Sequence, residues 1–142
     1  MVDEVRIDLP PDLTAPRAAR AEVRRVLSRW HLLPLVDSVA LAVSELVGNA
    51  VVHGRPPVRL VLSRSRRQVR AGVHDLAPGS PSAGQASDDR ESGRGLAIIS
   101  ELADDSGVER SHDDGKIVYA TFRTPAAAPG QAPPDPAAPP AG

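Results

Sequence analysis

The chain has 142 residues, a formal net charge of −1 and only 2% aromatic residues. That is the size of one domain with a tail, its core must be built from Leu, Val, Ile and Ala, and a nearly balanced charge argues against a dedicated nucleic-acid binder, whose basic footprint would show in the total. It contains no cysteine, which excludes disulfides and thiolate metal sites.

The first residues, MVDEVRIDLPPD, are acidic and lack a long apolar run, so an ordinary signal peptide is not expected. No apolar segment is read as approaching the ~20 residues of a membrane span. The expectation is a soluble, cytoplasmic protein with no membrane and no direct nucleic-acid partner.

Val5–Leu9 alternates apolar and charged residues, the pattern of a half-exposed strand, and Pro10-Pro11 ends it. Thr14 is placed to cap a following helix, with Pro16 in its first turn. Along that helix Ala19, Val23, Val26, Leu27 and Trp30 mark one apolar stripe, while Arg20, Arg24, Arg25 and Arg29 fall outside it. Such an arginine run reads as a solvated face or as a docking surface for an acidic protein.

Pro34 opens a central helix expected to run to about Val52, with Val36, Val39, Ala40, Val43, Leu46, Val47 and Ala50 on its buried side. Its stretch Leu41–Gly54, LAVSELVGNAVVHG, carries a carboxylate, Glu45, and a carboxamide, Asn49. At this spacing the two point the same way, about 40° apart around the axis and one turn along it. Gly48 lies between them, and a mid-helix glycine costs roughly 1 kcal/mol relative to alanine, so a close approach to the backbone is expected there. An acid, an amide and a bare patch on one face would suit a metal-bound phosphate. The plainer alternative is a solvated Glu45, a late-helix Asn49 and Gly54 as the C-cap. His53 stands where the helix dipole favours a cation and reads as structural.

After the break at Gly54–Pro57 come two strands, Val58–Ser63 and Gln68–Asp75, joined by the polar turn Arg64–Arg67. Val69, Ala71, Val73 and Asp75 share one face by the period of two, which aims Asp75 at the core layer. A carboxylate there needs hydrogen-bond donors from a backbone turn or from a ligand. Leu76–Glu91 is loop-like, and a connection of that length is often a lid or a binding loop. It leads into Ser92-Gly93-Arg94-Gly95 and then Leu96–Leu102, a short apolar helix. Glycines before a helix N-terminus offer free N–H groups to an anion, although the same three residues also make a plain turn. Val108–His112 and Ile117–Arg123 form a last hairpin through Asp114-Gly115, with Val118, Ala120 and Phe122 on one face and Ile117, Tyr119 and Thr121 on the other. Beyond Pro125 the sequence is Ala, Pro and Gly with little else, so a domain over 1–124 and a disordered tail over 125–142 are expected.

Helices and adjacent strands in this order predict an α+β fold, a two-layer α/β sandwich with helices on one face of a mixed sheet. Glu45, Asn49, Asp75 and the Gly93–Gly95 turn could then surround one cleft between the layers.

The order E-x-x-x-N on a helix, Asp at a strand end, a loop and GxG before a helix resembles the GHKL (Bergerat) ATPase fold of gyrase, histidine kinases and MutL. Within it, SELVGNAVVHGRPPVRLVLS, VHDLAP and ESGRGLAIISELAD are similar to small actinobacterial relatives of the SpoIIAB and RsbW anti-sigma factors, over roughly Val5 to Phe122. The resemblance implies ATP and Mg²⁺ as cofactors. Asn49 would give an oxygen to Mg²⁺, Glu45 would orient or deprotonate the attacking hydroxyl, and Asp75 would accept the adenine amino group. Gly79 is the glycine that survives of the DxGxG pattern, and Gly93, Arg94, Gly95 and Leu96 would wrap the phosphates.

The implied activity is that of a serine-protein kinase acting on a STAS-type anti-anti-sigma protein, with a sigma factor as a further partner. The relatives are often homodimers. The sequence also departs from the pattern. Asp75 is followed by Leu76-Ala77-Pro78-Gly79, Glu91 stands where sporulation-type kinases have Arg, and Ile117 stands where members often carry Thr, which would remove one polar contact near the base. These departures support the alternative of a nucleotide-gated binding module that sequesters its partner without phosphoryl transfer.

Overall fold

The computed structural model describes residues 3–77, 97–111 and 115–125. Strict alternation makes β1 (Asp3–Leu9) a strand whose Val5, Ile7 and Leu9 face the core while Glu4, Arg6 and Asp8 face solvent. It begins two residues earlier than its apolar pattern suggests, because Asp3 pairs with Arg64 in register and by a 2.7 Å ion pair.

Helix α1 (Ala15–Arg29) buries Ala15, Ala19, Val23, Val26 and Leu27, and leaves Arg24, Arg25 and Arg29 exposed. Thr14 occupies the N-cap position but makes no capping bond with its side chain. Its hydroxyl and its N–H (2.8 Å) both donate to Asp12, so the carboxylate organises the turn in place of the expected threonine cap. At the other end the N–H of His31 bonds the carbonyl of Ser28, and that of Leu32 bonds Leu27 at 2.9 Å. This is the Schellman pattern, with His31 at φ 59° in the left-handed position usually held by glycine.

Pro34 falls in a 3₁₀ turn, Leu33–Leu35, and α2 (Val36–His53) starts after it. The proline is accommodated ahead of the α-helix, where its missing N–H costs nothing. Gly54 ends α2, its N–H bonding the carbonyl of Ala50 at 2.9 Å. The 21 residues of Leu33–His53 are long and apolar enough to cross a membrane by length and composition, contrary to the sequence expectation that no apolar segment approaches that length. In the fold, α2 spends that apolarity on the core, burying Val39, Ala40, Ala42, Val43, Leu46, Val47 and Ala50.

The chain continues through β2 (Val58–Arg64), β3 (Gln68–Asp75), a helical segment at 97–102, β4 (Asp105–Arg110) and β5 (Lys116–Arg123). The five strands form one sheet in the order β1-β2-β3-β5-β4. Both helices and the segment at 97–102, through Ile99, pack on one face, around Leu60, Leu62, Val69, Ala71, Val73, Ala120 and Phe122. The α+β sandwich is as expected, but the sheet is antiparallel throughout and not mixed. The reason lies in the connections. A single crossover helix returns a chain parallel, whereas a second helix in series, α2, adds one more reversal, so β2 enters against β1. Likewise β5 inserts between β3 and β4, which run the same way, and pairs with each in the opposite sense.

Candidate functional site

Asp75 ends β3 on its inner face, where period two places it after Val69, Ala71 and Val73, and it is 0% exposed. Its Oδ1 accepts the N–H of Ala77 at 2.7 Å and that of Arg55 at 3.3 Å. The N–H of Leu76 bonds the carbonyl of Arg55 at 2.9 Å, fastening the strand end to the turn after α2. Oδ2 is buried and has no hydrogen-bond partner among the described residues. An orphaned carboxylate oxygen of this kind costs roughly 1–3 kcal/mol until a donor reaches it, and it can only accept. An exocyclic amino group of a purine such as adenine is a donor of the right kind, so the residue fits the role the sequence assigned to it.

Glu45, Gly48 and Asn49 share the half-buried side of α2 that turns away from the core. No side-chain hydrogen bond of Glu45 or Asn49 occurs among the described residues. A Cβ placed on Gly48 would meet nothing within 4 Å. The close approach expected at this glycine is therefore not made by the described chain, and the bare backbone is open to a ligand. Next to Glu45, Ser44 accepts a 2.8 Å hydrogen bond from Nη1 of Arg20, which ties α1 to α2 at this level. Asn49 lies about 7 Å of helical rise before Gly54, and Gly54 abuts Asp75. The amide and the aspartate therefore belong to the same end of the molecule.

Gly79, Gly93, Arg94, Gly95 and Leu96, the other expected nucleotide contacts, lie outside the described residues, as does Glu91. The segment that follows them is anchored, since Ile99 is 1% exposed and Leu102 and Ala103 pack against the core.

Two residues near the base position read differently in the structure. Ile117 is directly opposite His74 in the ladder, on the outer face of the sheet, with its Cγ2 3.0 Å from where a Gly72 Cβ would be. It faces away from Asp75, so the expected loss of a polar contact at the base does not arise from Ile117. Lys116 instead is paired with Asp75, and directly opposed residues put their side chains on the same face. The single lysine of the chain thus starts β5 on the inner side beside the aspartate. Sequence reading missed it because the pairing partner of Asp75 cannot be known before the hairpin register is fixed.

The outer face carries a groove of about 310 Å³ lined by residues that include Arg6, Arg59, Arg70, His74 and Ser111. Its arginines are matched by acids: Arg6 with Glu4 at 2.9 Å, Arg59 with Asp8 at 2.8 Å and Arg70 with Glu109 at 2.9 Å. Charges compensated in place leave little field for a triphosphate, and the groove is across the sheet from Asn49 and Asp75.

No curated protein matches the chain significantly. Among solved structures the chain is similar to the RsbU and RsbW domains of Rv1364c from Mycobacterium tuberculosis, at 23% identity and a TM-score of 0.64, over 86% of this chain and 32% of that one. The chain spans about a third of that protein's length, and the likeness at this identity is one of fold. The family described as histidine kinase-like ATPase domain matches residues 9–122, from the end of β1 to the last core residue of β5. With an inward aspartate ending β3 and a Glu/Asn pair on the core helix beside it, the chain belongs to the histidine kinase-like ATPase domain family.

Proposed function

We propose that the protein is an ATP-binding regulator of the anti-sigma type, acting in the cytoplasm as a protein-serine kinase on a STAS-type anti-anti-sigma partner, with a sigma factor as its other partner. The observation that carries nucleotide binding is the buried Oδ2 of Asp75, without a partner among the described residues, at the end of the helix that presents Asn49 and Glu45. The family match and the fold shared with a structure that contains an RsbW domain support the regulatory reading. Homodimerisation, frequent among the relatives the sequence resembles, is part of the same proposal.

Bound Mg-ATP would supply a γ-phosphoryl group whose charge is already partly neutralised by the metal. The Asn49 amide oxygen would be the protein's ligand to the ion, which commonly uses few protein groups. Glu45 would take the proton of the attacking serine hydroxyl, as that oxygen bonds to phosphorus and the bond to ADP breaks. Asp75 would hold the purine amino group, and the N–H groups of Gly93, Gly95 and Leu96, with the Arg94 guanidinium, would receive the phosphates. Isothermal calorimetry with Mg-ATP on the wild type and Asn49→Ala tests the nucleotide site. Transfer of labelled γ-phosphate to a cognate STAS protein tests the kinase.

The second reading is a nucleotide-gated binding module that holds a sigma factor or other partner without transfer. It now draws on Glu91 and the Leu76-Ala77-Pro78-Gly79 loop alone, since Ile117 points away from the site. It predicts ATP binding with no labelled product and partner binding that survives Glu45→Ala.

A further inference from the structure

The plainer reading of the sequence makes Gly54 only the C-cap of α2, and its φ of −90° is open to any residue. The space around it is not. A Cβ there would sit 2.7 Å from both Cγ and Oδ2 of Asp75, and 2.5 Å from the carbonyl oxygen of Ala50. The backbone of Gly54 is thus one wall of the Asp75 carboxylate, on the side of the oxygen that has no partner among the described residues. The other oxygen is fixed by the N–H groups of Arg55, the next residue, and of Ala77. One carboxylate oxygen is committed to the backbone and the other is held against a glycine, so the group has a single presentation.

We infer that the Gly54-Arg55 turn and the N–H of Ala77 together form a positioning and specificity element: by leaving room for Asp75 and donating to its Oδ1, they keep Oδ2 free to accept from the exocyclic amino group of an adenine nucleotide. The inference rests on the proposed nucleotide site and adds to it the residue that sets its base preference. A 6-oxo purine offers an acceptor where adenine offers a donor, and an acceptor facing Oδ2 is repelled. Purine riboside triphosphate, which lacks the amino group, neither gains from Oδ2 nor depends on where it points.

The test compares affinities of the full chain for Mg-ATP and for Mg-purine riboside triphosphate by calorimetry, in the wild type, in Gly54→Ala and in Ala77→Pro. The second variant removes the 2.7 Å donor to Oδ1 without adding bulk beside Oδ2, and it decides the matter if Gly54→Ala fails to fold. A hydrogen bond to a charged acceptor in a buried site is worth about a tenfold to hundredfold change in affinity. The wild type is expected to prefer ATP by that factor, and in each folded variant the preference is expected to fall towards one through loss of ATP affinity alone. A purely structural role would weaken both nucleotides equally. A folded variant that keeps the wild-type preference, or loses both ligands in parallel, overturns the inference and leaves the nucleotide site standing. A wild type that binds neither nucleotide overturns the site and the inference together.

Discussion

Arg64, at the end of β2, reaches the C-terminal end of α1 and donates to the carbonyl oxygen of Trp30 at 3.0 Å, with its guanidinium 5.1 Å from the centre of the indole ring. The same side chain pairs with Asp3 at 2.7 Å, so one arginine joins β1, β2 and the helix end. Arg64→Met keeps most of the aliphatic stem and removes the polar contacts. The expected loss is about 1–2 kcal/mol, read as a lower denaturation midpoint with an unchanged slope in urea.

His31 holds a left-handed backbone conformation at φ 59°, which costs an L-residue roughly 1–2 kcal/mol. Glycine removes that strain and gives back part of the gain as chain entropy. His31→Gly is therefore expected to stabilise the fold by on the order of 0.5–1 kcal/mol, and differential scanning calorimetry should show a raised Tm. An unchanged or lowered Tm would mean that the imidazole contributes more than its backbone loses.

Asp12 is fully exposed, and the hydroxyl of Thr14, followed by its N–H, holds the carboxyl below its ordinary value of 3.8. A folded-state value lower than the unfolded one means that the contribution is present above the unfolded pKa and is lost as pH falls through the folded one. Asp12→Ala should be less stable than the wild type at neutral pH, and the gap should close in acid, below the ordinary value of 3.8. Urea titrations across that range read the effect directly. A gap that persists in acid would assign the loss to packing and not to the carboxylate.

The side chains of Asn49 and Glu45 make no hydrogen bond among the described residues, so removing either one should change stability by no more than about 0.5 kcal/mol. Asn49→Ala is expected to weaken Mg-ATP binding roughly tenfold to hundredfold, with much less effect on ATP measured in chelator. Glu45→Gln should leave Mg-ATP affinity within a factor of about two and lower the rate of phosphoryl transfer about 10²–10⁴-fold. Equal losses for Asn49→Ala with and without magnesium would remove the metal from its role.

Much of this fold is legible in one sequence because its segments carry clean periods. The stripe of Ala19, Val23, Val26 and Leu27 and the alternation of Val69, Ala71, Val73 and Asp75 each fix an element and its buried face. The placement of Glu45, Asn49 and Asp75 on their elements was readable for the same reason, as polar residues in positions that period makes informative. Features that depend on tertiary pairing were not. The Schellman turn at His31 has no glycine to announce it, the placement of Lys116 opposite Asp75 follows only from the β3–β5 register, and the wholly antiparallel sheet comes from having two helices, not one, between β1 and β2. Gly54 shows the limit well. Its composition signal as a helix terminator was correct and incomplete, because its second role depends on a carboxylate twenty-one residues later in the chain.

A single 18-residue helix bears the amide and the acid on one side, and its closing turn presses on the aspartate proposed to meet the base. The two ends of a nucleotide would therefore be gauged by the same lever. Any tilt of that lever displaces both readings together, so a partner protein leaning on α2 could release the whole ligand without touching it.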